Sequence, residues 1–310
     1  MSKRNYYIII AILVALDIAA AFWYMAGHIN SDGKSDFFGS NSELAMEADT
    51  ISDKFVSDKF ESIEYNAFYV SKIPAVGNDQ TTYYTSIKRL KASIPSAINN
   101  NNDVAALVAE VANKAFPNCH GNFESGTQMF LKTPSFNVAN VDYKVISSAP
   151  TIFSKYGNVQ GVKIYPIFSS KNYLVMAINR SSYKGETTQH ESRYVNYNRI
   201  NHNIITAKDV FISNHDDKLL ELVNQKIEKL ISENTQWKLH KASTLSSEIY
   251  LRRTGVFFVY QPGVIAEKED GVMEVFVNFD RLNPYLQPKF KQLIASNSNA
   301  QELKPLSFSR

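Results

Sequence analysis

The sequence predicts an α+β domain of mainly antiparallel sheet with a few packed helices, carried behind one N-terminal transmembrane helix. Three observations point there. Residues 8–29 read IIIAILVALDIAAAFWYMAGHI, 22 residues in which only Asp17 and His28 are strongly polar. Beyond residue 55, short runs rich in Val, Ile, Tyr and Phe recur between turn signals. Two amphipathic stretches interrupt these runs, in the order expected of segregated strands and helices.

Composition bounds the rest. The chain has 310 residues, of which 44% are hydrophobic and 20% charged, so it can bury a sizeable core and is not disordered. A net charge of +3 is too small to predict nucleic-acid binding. The single cysteine, Cys119, excludes an intramolecular disulfide and any Cys-rich zinc module.

At about 1.5 Å per residue, residues 8–29 are long enough to cross a hydrocarbon core of about 30 Å. Tyr6 and Tyr7 flank one end, Trp23 and Tyr24 the other, where amphipathic rings favour the interface. Lys3 and Arg4 precede the run, whereas residues 30–50 carry a net charge of −4. The excess of basic residues on the short side places the N-terminus in the cytoplasm and the body outside, periplasmic or extracellular. A cleaved signal peptide is the competing reading; the apolar run is longer than such a core usually is, and Tyr24 spoils the nearest cleavage site. Asp17 near the midplane either is tolerated by the long aliphatic run or contacts a partner helix. The expected organisation is a cytoplasmic tail at 1–7, the transmembrane helix at 8–29, a polar tether at 30–54, an exported domain at 55–296 and a polar tail at 297–310.

Within the domain, residues 61–70 and 81–90 are the first candidate strands. Asp103 is expected to cap a helix that Pro117 stops, with Leu107, Val111 and Ala115 as its buried stripe. Residues 141–147, 159–168, 173–181 and 193–199 read as strands, the second and third joined by a tight hairpin at 169–172. Asn214 is expected to cap an amphipathic helix that buries Leu219, Val223 and Ile227. Strands at 255–260 and 272–279 and a helix over 284–296 close the chain. Both faces of 255–260 are apolar, so this strand should be central. In the next strand, Met273, Val275, Val277 and Phe279 should face the core, and Val272, Glu274, Phe276 and Asn278 away from it.

Catalytic chemistry finds little to stand on. His120, His190, His202, His215 and His240 form no metal-ligand spacing, so no metal and no cofactor is expected. No Gly-x-Ser-x-Gly elbow is present. Cys119 lies beside His120, but loop neighbours usually point apart and no third orienting group is evident. Glu267, Glu269 and Asp270 could supply a carboxylate pair, although such a run in a loop is usually a solvated turn. No catalytic residue is assigned.

Residues 253–286, RTGVFFVYQPGVIAEKEDGVMEVFVNFDRLNPYL, resemble the closing strands of the exported domain of RsiV-type anti-sigma factors. The pattern is a glycine, an aromatic strand, a Pro-containing bend into Ile-Ala, a second glycine, an aliphatic strand and a final Leu-x-Pro-Tyr-Leu. The likeness extends upstream through Tyr194-Val-Asn-Tyr-Asn and residues 204–211, IITAKDVF, and covers roughly residues 55–290. It implies a membrane-tethered envelope protein that binds lysozyme or a peptidoglycan component without being an enzyme. The alternative is a wall hydrolase or deacetylase-associated enzyme with an unrecognised site. Two departures stand out. Residues 1–7 cannot hold an anti-sigma domain, and the turn at 184–190, with Gly185 and His190, differs in spacing from the family's. The expected ligand surface combines Gly185 and His190 with the loop bearing Glu267, Glu269 and Asp270.

Overall fold

In a computed structural model of the chain, residues 58–73, 82–98, 101, 103–132, 143–146, 158–184, 187–233, 238–295 and 300–302 are described. The described residues all fall within the second of the two units into which the chain divides, residues 46–310. The predicted transmembrane segment and tether lie outside the described residues, as do Gly185 and all of the C-terminal tail except Ala300–Glu302, which the structure makes a strand. Among the described residues no helix is long and apolar enough to cross a membrane.

The second unit is α+β. Its large sheet is built from β1 (Lys59–Ile73), β2 (Thr82–Ala97), β3 (Tyr143–Ile146), β4 (Asn158–Ser170), β5 (Tyr173–Lys184), β6 (Thr187–Asn198) and β7 (Asn203–Ile205) in the order β3-β1-β2-β4-β5-β6-β7. The pairings are antiparallel except for β2 with β4, which run parallel from Ser86↔Asn158 to Ala92↔Ile164. Lys171 and Asn172 form the predicted tight hairpin between β4 and β5. A small sheet, β8 (Ile249–Leu251), β9 (Gly255–Tyr260) and β10 (Met273–Asn278), has β9 at its centre, as two apolar faces require. A last strand, β11 (Ala300–Glu302), pairs with the far end of β4.

Alternation along the strands separates two cores. On one face, Leu90 of β2, Ile164 of β4, Leu174 and Met176 of β5 and Val195 of β6 pack under α1 (Ala105–Ala115), whose Leu107, Val111 and Ala115 are buried as its spacing predicts. Also on this face, α2 (Phe123–Lys132) packs Phe123 and Phe130 around Phe116. Gly126 is required here, because a Cβ would come within 2.6 Å of the Phe116 ring. On the opposite face, Tyr165, Tyr173, Val175 and Tyr194 meet the small sheet and the helices around it. These helices are α3 (Ala207–Val210), α4 (Asp216–Glu233), α5 (Phe279–Leu282) and α6 (Pro288–Ala295), with a 3-10 turn at Asn283–Tyr285 between the last two.

Three local expectations are corrected. The first helix begins at Ala105, with Val104 at the cap: the Val104 carbonyl accepts the first helical bond from Val108, and no side chain caps the end. Asn214 does not cap α4: it sits at φ 66°, and the carbonyl of His215 accepts the first helical bond from Leu219. The closing helix is broken into α5, the 3-10 turn and α6, since Asn278 caps a short helix ahead of Pro284.

Side chains stitch the two sheets together along the edge of β6. Lys114 Nζ donates to the Tyr194 carbonyl at 2.7 Å, and Glu248 accepts from the Tyr194 N–H at 2.7 Å. Asn196 donates to the Ile249 carbonyl and accepts from the Leu251 N–H. Gln261 bonds both backbone groups of Ser192. Side chains thus occupy the β6 backbone at Ser192 and Tyr194, which hinders strand addition at those two positions.

Candidate ligand-binding surface

Past Tyr260 the chain leaves the small sheet at Gln261 and returns at Met273. Within this loop Ile265 and Ala266 are buried and act as its anchor. The His240 N–H donates to the Ile265 carbonyl at 2.9 Å, and His240 Nε2 lies 3.0 Å from the Val264 carbonyl. Gly263 and Gly271 take φ of 82° and 81°, values that favour glycine, and so allow the chain to turn out and back. The 3-10 turn Lys268–Asp270 closes the loop. The result is a fixed rim rather than a loose tip. It encloses an open depression of about 310 Å³ lined by His240, Gly263, Ala266, Glu267, Lys268 and Glu269.

Of the expected surface residues, Glu267 and Glu269 are exposed and line this depression. Asp270 is half-buried in the same turn and is not among the lining residues. His190 lies on β6 opposite Ser181, half-buried, and burial holds its imidazole below the ordinary range. The clasp of Gln261 on Ser192 ties the start of the loop to a position two residues from His190.

Glu274 corrects the reading of β10. Val275 and Val277 are buried as expected, but on the opposite face Glu274 is half-buried and turns to side chains of the protein. Glu274 pairs with Val259 and accepts hydrogen bonds from the Tyr194 and Tyr250 hydroxyls, the latter at 2.7 Å. The Tyr194 and Tyr250 rings stack at 4.2 Å, and Tyr250 stacks on Phe257 at 4.6 Å. Burial first, then the Glu274 charge, raises both phenols well above the ordinary range, so they remain donors. Nearby, Tyr165 accepts from Asn179 Nδ2 at 2.9 Å and is pushed up to about 12, chiefly by burial.

Two lysines occupy positions that strand alternation alone reads as ordinary. Lys88 is 4% exposed, with its ammonium 4.9 Å from the centroid of the Phe130 ring. Burial lowers it to about 8. Lys163, 8% exposed on the opposite face, is lowered to about 8 by burial and then by Lys91.

Cys119 is buried, and its sulfur approaches Asn113 Oδ1 at 3.8 Å. Among the described residues no group of three or more His, Cys, Asp or Glu is arranged to hold a metal.

No family model matches the sequence, and no curated protein matches it. The fold is similar to the crystal structure of a DUF3298-family member from Bacteroides fragilis, with a TM-score of 0.54 and 15% identity over 77% of this chain and 98% of that one. A DUF3298-family protein from Pseudomonas aeruginosa aligns over 76% of this chain and 96% of its own, with a TM-score of 0.46 and 12% identity. At such identities the likeness to the Bacteroides protein is one of fold: the body of this chain has the architecture of a domain family of unknown function.

Proposed function

We propose that the chain is a single-pass envelope protein whose exported domain binds a partner without catalysing a reaction, and that the partner is lysozyme. The observation that carries this reading is the fixed acidic rim at residues 262–271. Glu267, Glu269 and Asp270 outnumber Lys268, and Glu267 and Glu269 are presented around a depression on a loop anchored by buried residues. A preorganised carboxylate rim loses little conformational entropy on binding and steers a basic protein such as lysozyme toward it. The RsiV-type pattern at residues 253–286 contains this loop and supports the same partner. The apolar run at residues 8–29, with basic residues before it and acidic ones after, supports the cytoplasmic membrane as the location, with the domain outside.

The test is lysozyme binding to the full chain in detergent, measured calorimetrically at low and high salt. Binding should weaken as salt rises, and the combined change Glu267→Gln, Glu269→Gln and Asp270→Asn should weaken it about tenfold or more. Absent binding by the folded chain, or binding indifferent to both salt and the three substitutions, overturns the proposal.

A further inference from the structure

The turn between β6 and β7, residues 199–202, is fixed by side chains and by the neighbouring hairpin. The Arg199 N–H donates to the Asn172 carbonyl of the β4–β5 hairpin at 2.8 Å. The Asn198 side chain accepts from the N–H groups of Ile200 and Asn201 at 2.8 and 3.1 Å. His202 takes φ of 54°, with its ring nitrogen 3.1 Å from the Tyr197 hydroxyl. The Arg199 guanidinium is buried and pairs with both carboxylate oxygens of Asp58, Nη1 to Oδ1 at 2.6 Å.

On this turn Ile200 is 58% exposed, the most exposed large apolar side chain among the described residues. A single exposed apolar side chain is ordinary; its place sets this one apart. Asp58, pinned to the turn by Arg199, is where the chain arrives from the polar stretch expected to tether the body to the membrane. Lys171, at the tip of the β4–β5 hairpin, and Lys59, next to Asp58, are both exposed at this end. The exposed Asp103 lies here too, joined to His202 through Asn101. The end is therefore modestly basic, and its apolar tip supplies most of the contact.

We propose that this turn docks on the lipid bilayer that anchors the chain, with Ile200 inserted at the headgroup level and Lys59 and Lys171 against lipid phosphates. The inference rests on the reading of residues 8–29 as a membrane anchor. Insertion withdraws the isoleucine from water while the ammonium groups meet anionic headgroups. The turn is already fixed, so little backbone entropy is lost on contact. Tethering raises the local concentration of lipid at this surface, and even a weak contact is populated. Docking also sets the orientation of the body. Ser192, which holds the start of the acidic loop, lies about 20 Å back along β6 from the turn, which keeps the rim clear of the lipid.

The test uses the full chain in nanodiscs of mixed zwitterionic and anionic phospholipid with brominated acyl chains. A fluorophore is attached at Asn201→Cys, beside Ile200, and in separate chains at Val264→Cys on the acidic rim and Ala20→Cys in the anchor. Cys119 is buried, and the unsubstituted chain checks that it stays unlabelled. Bromine should quench the labels at positions 20 and 201 and spare the one at 264. Ile200→Ser should lower the ratio of docked to undocked chains about fivefold. Lys59→Gln with Lys171→Gln should lower it about fivefold as well, on anionic discs alone. Quenching at 20 without quenching at 201 overturns the docking and leaves the anchor standing; quenching at neither overturns both. Equal quenching at 201 and 264, or quenching at 201 that Ile200→Ser leaves unchanged, also overturns the site.

Discussion

Alternate residues of the same strands line the two faces of the large sheet, and the faces solve burial in different ways. Toward α1 the strands offer Leu174, Met176, Ile178 and Val195, an aliphatic surface that asks only to be covered. Toward the small sheet they offer Tyr165, Tyr173 and Tyr194, whose rings bury well but whose hydroxyls need partners. Those partners are specific: Tyr173 donates to the Arg252 carbonyl at 2.9 Å, and Tyr194 and Tyr250 share Glu274. The aliphatic face gives burial energy with loose positional demands. The phenolic face fixes the register of the small sheet, and with it the position of the acidic loop that leaves β9.

The largest expected effect comes from the aliphatic face. Leu174 is fully buried near the start of β5, so Leu174→Ala should cost about 2–5 kcal/mol through lost transfer energy and the cavity left behind. Urea unfolding of the full chain in detergent, followed by circular dichroism, measures this. A loss below about 1 kcal/mol would mean that the α1 layer collapses onto the gap and is less tightly packed than its burial suggests.

The buried lysines sharpen the comparison through pH. Lys88 on the α1 face and Lys163 on the Tyr165 face are both lowered by burial from 10.5 to about 8. Between pH 8 and 10.5 the unfolded chain binds more protons at these sites, so stability rises with pH through that window. Below pH 8 both lysines are charged in the folded state and the penalty is fully present. Tyr165 acts oppositely: its folded value of about 12 lies above 10.0, so ionisation of the unfolded chain removes stability above pH 10. The urea midpoint should therefore climb from pH 7.5 to about 9.5 and then turn over. Lys88→Met should raise stability at pH 7 and flatten part of the climb. A midpoint that is level over pH 7–9.5 in the unsubstituted chain would show that both ammonium groups reach solvent.

How much of this was legible in sequence depends on how local the cause is. The stripe of α1, the Lys171–Asn172 hairpin and the central place of β9 follow from spacing within one element, and the structure agrees with them. α2 was missed because its FESGTQMFLK run has glycine, serine and threonine where a helix former would announce itself; the glycine answers to Phe116, a tertiary contact. Asn214 resembles a cap in sequence, but its left-handed backbone hands that role to His215. Lys163 is the extreme case. It reads alone as an ordinary polar residue of β4; only the parallel pairing of β2 with β4 brings Lys91 beside it. Glu267 and Glu269 were legible as a charged loop, but the depression they line depends on His240, more than twenty residues upstream.

Glu274 separates the two kinds of face most directly, because its effect depends on what remains after it is removed. Glu274→Leu takes away the acceptor for two phenols that burial has already stripped of water. The expected cost is about 1–3 kcal/mol, set by the two unsatisfied donors rather than by the lost side-chain contacts. Adding Tyr194→Phe and Tyr250→Phe removes those donors and keeps the ring stack, so the triple variant should recover stability relative to Glu274→Leu alone. Three substitutions that together cost less than one of them are the signature of a coupled polar cluster, measurable as the interaction energy of the cycle. If instead the triple variant is less stable than Glu274→Leu, the hydroxyls have found other partners. The register of the small sheet would then rest on ring packing alone, as burial on the aliphatic face does.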